Sequence, residues 1–327
     1  MEPRRSVEGM ERLTGKRILV TGGTGFVGSH VVEELLKRDA FVVVPYRSRD
    51  PQSYFSLQGL EGKVVMAVCD IKDRDRVFEL IARWDITHII HLAAVAIVDS
   101  AYANPIEAIA TNVLGTANVL EVARHASSVK GVIVASSDKA YGKLRKTVVE
   151  TDPLSGDHPY EVSKAATDLI AAAYYKTYKL SVVITRFGNI YGPGDNNFSR
   201  IIPGITQSLI SHEPLIIRSD GTYVRDYVYV GDVAAAYVFL LEHLENAKGE
   251  AFNISSNDSL SVLDVVKKTQ KILKKKIRFQ IANTAKNEIP YQHLDWSKIQ
   301  KLGWRPKTTF SQGIKETYRW YKRHKIG

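Results

Sequence analysis

Tyr160 and Lys164 are the two side chains of this sequence best suited to proton transfer, because they stand in a Tyr-x-x-x-Lys pattern. On a helix, residues four apart share one face, so the phenol and the ammonium can converge. We expect the nearby ammonium to lower the pKa of the phenol. The phenolate can then take a proton from an alcohol group. The pair also occurs by chance in many helices, so by itself it is a weak signal.

A second group of reactive side chains is Ser137-Asp138-Lys139, which follows the predicted strand 131–136. In doubly wound sheets, ligands bind beyond the carboxyl ends of the strands. Ser137 can hydrogen-bond the same alcohol as Tyr160, and Asp138 and Lys139 add an acid and an amine. The alternative for Asp138 and Lys139 is a solvent-exposed turn.

A glycine pattern indicates where a dinucleotide binds. Gly22, Gly25 and Gly28 follow a predicted strand, and Phe26 and Val27 open a predicted helix. Such a turn lets the backbone approach a pyrophosphate at the positive end of the helix. The alternative is a tight structural turn. Together with this motif, the Tyr-Lys pair predicts transfer of hydride from a substrate carbon to a nicotinamide.

The residues after the second and third strands bear on the choice between NAD and NADP. A carboxylate after the second strand accepts the ribose hydroxyls of NAD, whereas an arginine accommodates the 2′-phosphate of NADP. Here Arg47 and Arg49 follow the strand and no acid stands directly at its end. The two arginines leave NADP open as an alternative to the predicted cofactor, NAD. Asp70 and Ile71 are predicted adenine contacts, and the alternative for Asp70 is a helix N-cap.

The elements that position these residues alternate between short apolar runs and helical patterns. Strands separated by helices predict an α/β fold with a Rossmann-type doubly wound parallel sheet. We expect a short extension over 1–16, a dinucleotide-binding domain over 17–187 and a smaller substrate-binding domain over 188–327, with an interleaved boundary. The predicted strands are 17–21, 41–44, 64–68, 88–91, 131–136 and 181–185, and the predicted helices are 26–38, 74–84, 105–125 and 159–179.

Composition narrows the class of protein. The single cysteine, Cys69, excludes an internal disulfide and a cysteine-based zinc site, and we predict no metal and a reducing, cytoplasmic location. We find neither a signal peptide nor an apolar run of the roughly 20 residues that a membrane span needs. The net charge is +10, with many lysines in 267–276. Their spacing is typical of a solvated helix face, so we expect no nucleic-acid partner.

The chain resembles the extended short-chain dehydrogenase/reductases that act on nucleotide sugars. This resemblance implies that Ser137, Tyr160 and Lys164 form a catalytic triad. It also implies that Asn189, Arg225 and Arg200 hold the substrate diphosphate. The motifs that carry it are the glycine turn, His91-Leu92-Ala93-Ala94, Thr111-Asn112-Val113-Leu114-Gly115-Thr116, the Tyr160/Lys164 pair, 186–194, 225–230 and 302–306. Within them, we assign Leu92, Ala93, Ala94 and Asn112 to the cofactor.

The resemblance bears most directly on the reaction at Asp138 and Lys139. Epimerases of this family usually carry small uncharged residues there, whereas 4,6-dehydratases carry an acid followed by a base. The Ser-Asp-Lys sequence resembles CDP-glucose 4,6-dehydratases, so we predict a 4,6-dehydratase with CDP-glucose weakly favoured. The alternatives are a nucleotide-sugar 4-epimerase, a decarboxylase and a non-catalytic dinucleotide-binding regulator. The resemblance further implies a homodimer formed through the helices predicted at 105–125 and 159–179.

Overall fold

The computed structural model describes residues 11–144, 146–284 and 289–326. Within these residues, seven strands form one parallel sheet in the order β11-β7-β5-β4-β1-β2-β3. The strands are β1 (Arg17–Thr21), β2 (Phe41–Tyr46), β3 (Val65–Val68), β4 (His88–His91), β5 (Gly131–Ala135), β6 (Thr147–Val148), β7 (Val182–Phe187), β8 (Asn189–Tyr191), β9 (Leu215–Ile217), β10 (Val224–Tyr229), β11 (Ala251–Ile254), β12 (Ser259–Ser261), β13 (Phe279–Ile281) and β14 (His293–Leu294).

Helices cover both faces of the large sheet, as the strand-helix alternation requires. One-turn 3₁₀ helices lie at Leu60–Lys63 and Asp138–Tyr141, and a π-helical turn lies at Ala110–Leu114. The α-helices are α1 (Phe26–Leu36), α2 (Tyr54–Leu57), α3 (Arg74–Arg83), α4 (Val98–Ala103), α5 (Pro105–Ile109), α6 (Gly115–His125), α7 (Pro159–Tyr178), α8 (Ile201–Ser211), α9 (Val230–Glu242), α10 (Leu244–Ala247), α11 (Val262–Leu273), α12 (Ser297–Leu302) and α13 (Phe310–His324).

Two apolar layers hold the helices against the sheet. Side chains alternate along each strand, so Ile18 and Val20 of β1 face one layer and Leu19 faces the other. The first layer contains buried residues of α1 and α9, and the second contains buried residues of α3, α6 and α7. Apolar burial on both faces explains why the strands read as nearly continuous Val and Ile runs.

The predicted doubly wound α/β fold is confirmed. β1 and β4 have the predicted bounds, as does the helical stretch 105–125, and the other predicted strands and helices differ from the structure by one or two residues at their ends. The predicted helix over 105–125 is one helical stretch that contains the π-helical turn. The seventh strand, β11, was not predicted. It pairs with β7 at the sheet edge, so a segment after residue 188 completes the dinucleotide-type sheet.

Within the described residues, the remaining strands form three smaller sheets. β10 pairs with β8 and β12, β9 pairs with β13, and β6 pairs with β14. Residues 1–10 of the predicted extension lie outside the described residues. Leu13 is buried, and the Glu11 N–H donates to the carbonyl oxygen of Glu242 at 2.7 Å. None of the helices in the described ranges has the length and apolar character to cross a membrane.

Candidate active site

The glycine turn between β1 and α1 is tightly packed. Gly22 has φ 69°, and a Cβ at this position would lie 2.7 Å from the backbone nitrogen of Ala93. A Cβ at Gly28 would lie 2.1 Å from the carbonyl oxygen of Gly22, whereas one at Gly25 would lie 3.2 Å from it. Gly25 precedes the first helical residue, Phe26, so the amide groups of the helix start face the cleft. This turn fits a pyrophosphate at a helix N-terminus.

His91 ties the end of β4 to this turn. Its Nδ1 lies 2.7 Å from the Thr21 hydroxyl and its Nε2 lies 3.0 Å from the Thr116 hydroxyl. Burial lowers the pKa of His91 to about 3, so the ring is neutral. The Thr21 oxygen also accepts from the backbone N–H groups of Leu92 and Ala93, both at 3.2 Å. The cleft wall formed by Leu92, Ala93 and Ala94 is thereby fixed in place.

The predicted adenosine contacts meet at the ends of β2 and β3. Arg47, Asp70 and Ile71 line the cleft, and the Arg47 guanidinium lies 3.7 Å from an Asp70 oxygen. Arg49 instead donates to the Tyr46 hydroxyl at 3.1 Å and packs over that ring. The alternative of Asp70 as a helix N-cap is wrong. The cap of α3 is Asp73, which accepts from the N–H of Arg76 at 3.0 Å.

Asn112 lies in the buried framework and not on the cleft wall. Its amide oxygen accepts from the N–H of Val95 at 2.7 Å, and its amide nitrogen donates to the Ser163 hydroxyl at 2.9 Å and to the Val95 carbonyl. These bonds connect the segment after β4 to α7. The predicted direct contact with a cofactor therefore has no support in the position of this side chain.

Ser137, Tyr160 and Lys164 come together at the carboxyl end of β5. All three line the cleft and are nearly buried. The Lys164 ammonium donates to the carbonyl oxygen of Ala135 at 2.8 Å, and burial lowers the pKa of Lys164 to about 8. Burial raises the pKa of Tyr160, and a hydrogen bond with Ser137 offsets part of the rise. The predicted net lowering of the phenol pKa is not found, because burial outweighs the hydrogen bond with Ser137 and the charge of Arg200.

Asp138 and Lys139 stand beside this triad. The interpretation of Asp138 as part of a solvent-exposed turn is wrong, since only 5% of the residue is exposed. Its Oδ1 accepts from the Ser137 hydroxyl at 3.0 Å and lies 3.5 Å from the Lys139 amine. Burial lowers the pKa of Lys139, Asp138 opposes this, and the positive charges of Arg225 and Arg200 reinforce it. The site thus contains a buried carboxyl and an amine that loses its proton more readily than a free lysine does.

The predicted substrate residues surround Lys139. Its amine lies 3.3 Å from the amide oxygen of Asn189 at the start of β8. Arg200 precedes α8 and pairs with the buried Asp195 at 3.2 Å. Arg225 on β10 is buried and donates to the carbonyl oxygen of Val224 at 2.8 Å. All three predicted residues line the cleft, so two arginines face the reacting end.

One cleft of about 1700 Å³ joins the glycine turn to these residues. Ligand pockets for drug-sized molecules are typically about 300–1000 Å³, so this cleft has room for two ligands side by side. Sequence reasoning missed several of its walls, because most of them carry no motif. Thr111 does lie in the motif 111–116, from which only Asn112 was assigned. The missed wall residues include Tyr46, Tyr54, Val98, Tyr102, Thr111, His158, Glu161, Ile201, Gln207, Leu215, Arg218, Tyr223 and Gln292.

Comparison with known proteins places this site in a family. The family described as GDP-mannose 4,6 dehydratase matches residues 19–317. A trifunctional UDP-glucose 4,6-dehydratase/UDP-4-keto-6-deoxy-D-glucose 3,5-epimerase/UDP-4-keto-L-rhamnose-reductase of Arabidopsis thaliana is 32% identical over 94% of this chain and 47% of its own length. The chain thus spans about half the length of that relative.

Two solved structures are similar over nearly their whole length. The dTDP-glucose 4,6-dehydratase of Streptomyces venezuelae, solved with NAD bound, has TM-score 0.84 and 30% identity, covering 94% of this chain and 97% of that one. The UDP-glucose 4-epimerase of Thermotoga maritima, solved with UDP-glucose, has TM-score 0.85 and 29% identity, covering 94% and 99%. This chain therefore belongs to the GDP-mannose 4,6-dehydratase family, within the extended short-chain dehydrogenase/reductases that comprise nucleotide-sugar dehydratases and epimerases.

Proposed function

We propose that this protein is an NAD-dependent nucleotide-sugar 4,6-dehydratase that converts an NDP-hexose to an NDP-4-keto-6-deoxyhexose. The observation that carries the proposal is the pair Asp138 and Lys139 next to Ser137, with burial lowering the pKa of Lys139. Epimerisation at C4 needs no such pair. Loss of water across C5 and C6 requires both a base and an acid.

In this proposal, each proton transfer is assigned to a particular residue. Tyr160 in its phenolate form, hydrogen-bonded with Ser137, takes the proton of the C4 hydroxyl, and the resulting 4-ketone acidifies the C5–H bond. Neutral Lys139 takes the C5 proton, and Asp138 in its protonated form gives a proton to the departing C6 hydroxyl, which leaves as water. Lys139 gives its proton back to C5 when hydride returns to C6. Arg200, Arg225 and Asn189 hold the substrate diphosphate.

The proposed cofactor site extends from the glycine turn to Lys164. Gly22, Gly25, Phe26, Val27 and Gly28 would hold the pyrophosphate end. Asp70 and Ile71 would contact the adenine, Leu92, Ala93 and Ala94 would line the middle, and Tyr160 and Lys164 would contact the nicotinamide end. The chemistry that bound NAD supplies is the storage of one hydride, taken from C4 and returned to C6. Cofactor is thus restored in each turnover.

The proposal also concerns which nucleotide the sugar substrate carries. CDP-glucose is favoured weakly through the resemblance of Ser137-Asp138-Lys139 to CDP-glucose dehydratases, while the relatives reported above act on UDP- and dTDP-sugars. The test incubates the purified protein and NAD with CDP-, UDP-, dTDP- and GDP-glucose separately. Mass spectrometry that finds a product lighter by one water from one donor supports the dehydratase and identifies the nucleotide.

The second candidate function is a nucleotide-sugar 4-epimerase. It is favoured by the close structural similarity to the Thermotoga UDP-glucose 4-epimerase. The same incubation separates the two candidates, because an epimerase yields a C4 epimer of unchanged mass. That outcome would mean that Asp138 and Lys139 do not act on C5 and C6.

A homodimer through α5, α6 and α7 is also proposed. These helices and the π-helical turn between α5 and α6 carry apolar side chains toward solvent, with exposures of 73% for Ile106, 58% for Leu114 and 60% for Leu169. Analytical ultracentrifugation tests this, and we expect a dimer that Ile106→Lys with Leu169→Lys dissociates. Phe78→Lys on the exposed side of α3 is the matched control. A monomeric wild-type protein would refute the dimer.

A further inference from the structure

Four charged side chains are in contact at the proposed adenosine end of the cleft, and two of them, Arg47 and Asp70, line the cleft. The Arg47 guanidinium lies 3.3 Å from a Glu107 oxygen and 3.7 Å from an Asp70 oxygen. The Lys72 amine donates to both Glu107 oxygens at 2.9 Å and lies 3.7 Å from Asp70. Two cations therefore face two carboxylates, and the formal charge of the cluster is zero.

Glu107 is held in this position by its own helix. It lies in the first turn of α5, where its N–H donates to the Asn104 cap at 3.1 Å. The Thr111 hydroxyl, one turn later, donates to Glu107 Oε1 at 2.9 Å. A hydrogen bond from Lys72, reinforced by Thr111 and Arg47, lowers the pKa of Glu107, so the carboxylate is charged at neutral pH. The negatively charged carboxylate of Glu107 is thus held beside Arg47 by the fold itself.

We propose that Glu107 is a specificity-determining residue that makes this site select NAD over NADP despite Arg47. This inference rests on the dinucleotide site of the proposed function. An arginine after the second strand accommodates a 2′-phosphate when its charge is available. Here Glu107 and Asp70 together neutralise Arg47 and Lys72, so the charge of Arg47 is not available to a phosphate of about −1.5 to −2. Glu107 acts through Arg47 and is therefore a positioning residue.

The test measures the dissociation constants of NAD and NADP by titration calorimetry, without substrate. We expect wild-type protein to bind NAD more tightly. Glu107→Gln keeps the side-chain shape but leaves the cluster with a net positive charge. The NADP-to-NAD affinity ratio should then rise about tenfold, the order expected of one unit charge acting on a phosphate at a partly exposed site. The rise should shrink at high salt.

Two further variants show whether the effect passes through Arg47. Arg47→Ala in the Glu107→Gln background should remove most of the gain. Glu121→Gln is the matched control, because Glu121 has similar exposure and pairs with Arg124 on α6 away from the cleft. The NADP-to-NAD affinity ratio of Glu121→Gln should stay at the wild-type value. Thermal unfolding should show that all variants are folded.

The possible outcomes distinguish failure of the role of Glu107 from failure of the proposed function. An unchanged ratio in Glu107→Gln, or a wild-type preference for NADP, overturns the role of Glu107 and leaves the dehydratase proposal standing. Wild-type protein that binds neither dinucleotide overturns both. Selective binding of NAD without any product from nucleotide sugars overturns only the proposed reaction.

Discussion

Replacing Lys139 with methionine removes the amine to which the proposed reaction assigns the C5 proton. The amine lies 3.3 Å from Asn189 and 3.5 Å from Asp138, and 23% of the side chain is exposed. Water has limited access as a substitute base. General base catalysis contributes about 10²–10⁴ in rate, and we expect a loss of about 10³ in turnover, which corresponds to about 4 kcal/mol in activation free energy.

The assay separates two steps of the proposed reaction. Oxidation at C4 depends on Tyr160 and Ser137, so Lys139→Met should still form reduced cofactor when mixed with a nucleotide sugar. Dehydration should stall, and the reduced-nicotinamide absorbance should persist instead of decaying. Lys139→Arg should behave like Lys139→Met, because an arginine stays charged. Lys143→Met, which removes an exposed lysine nearby, should retain wild-type turnover.

The pH dependence has a definite sign. Lys139 acts as a base only in its neutral form, and burial lowers its pKa, which raises the neutral fraction at a given pH. The dehydration rate should fall as pH drops through this pKa, by about tenfold per pH unit below it. Lys139→Met should lose this dependence in the dehydration step. A loss of less than about tenfold in turnover, or equal slowing of both steps, would refute the assigned role.

Two further predictions concern cofactor binding and stability. Gly28→Ala should weaken NAD binding at least tenfold, because its Cβ would lie 2.1 Å from a backbone oxygen of the turn. The control Gly62→Ala has open space around it and should bind NAD normally. Equal affinities of the two variants for NAD in calorimetry would contradict the prediction. Asp168→Asn breaks the buried bidentate pair with Arg186 and should lower the free energy of unfolding in urea by about 3–5 kcal/mol. The exposed control Glu245→Gln should change the free energy of unfolding by less than about 0.5 kcal/mol. A change as small as this for Asp168→Asn would refute the reasoning.

Much of the site could be predicted because local patterns encode it. The glycine turn, the Tyr160/Lys164 spacing and the serine after β5 each depend on a strand end followed by a helix or turn, which periodicity reveals. Asp70 was harder to interpret, since a carboxylate after a strand suits both a ligand contact and a helix cap. Only the hydrogen bond from Arg76 to Asp73 identifies the cap.

The sequence by itself determined the α/β class, the places of β1–β5 and β7 along the chain and the residue types at the reacting centre. Only the tertiary structure decided that Ala251–Ile254 completes the sheet, because its pairing with β7 is long-range and the segment is short. Tertiary structure also decided that Asn112 is buried and that burial raises the pKa of Tyr160. Only the tertiary structure shows that Glu107 lies next to Arg47. Burial and charge contacts depend on chain segments distant in sequence, and local patterns do not carry that information.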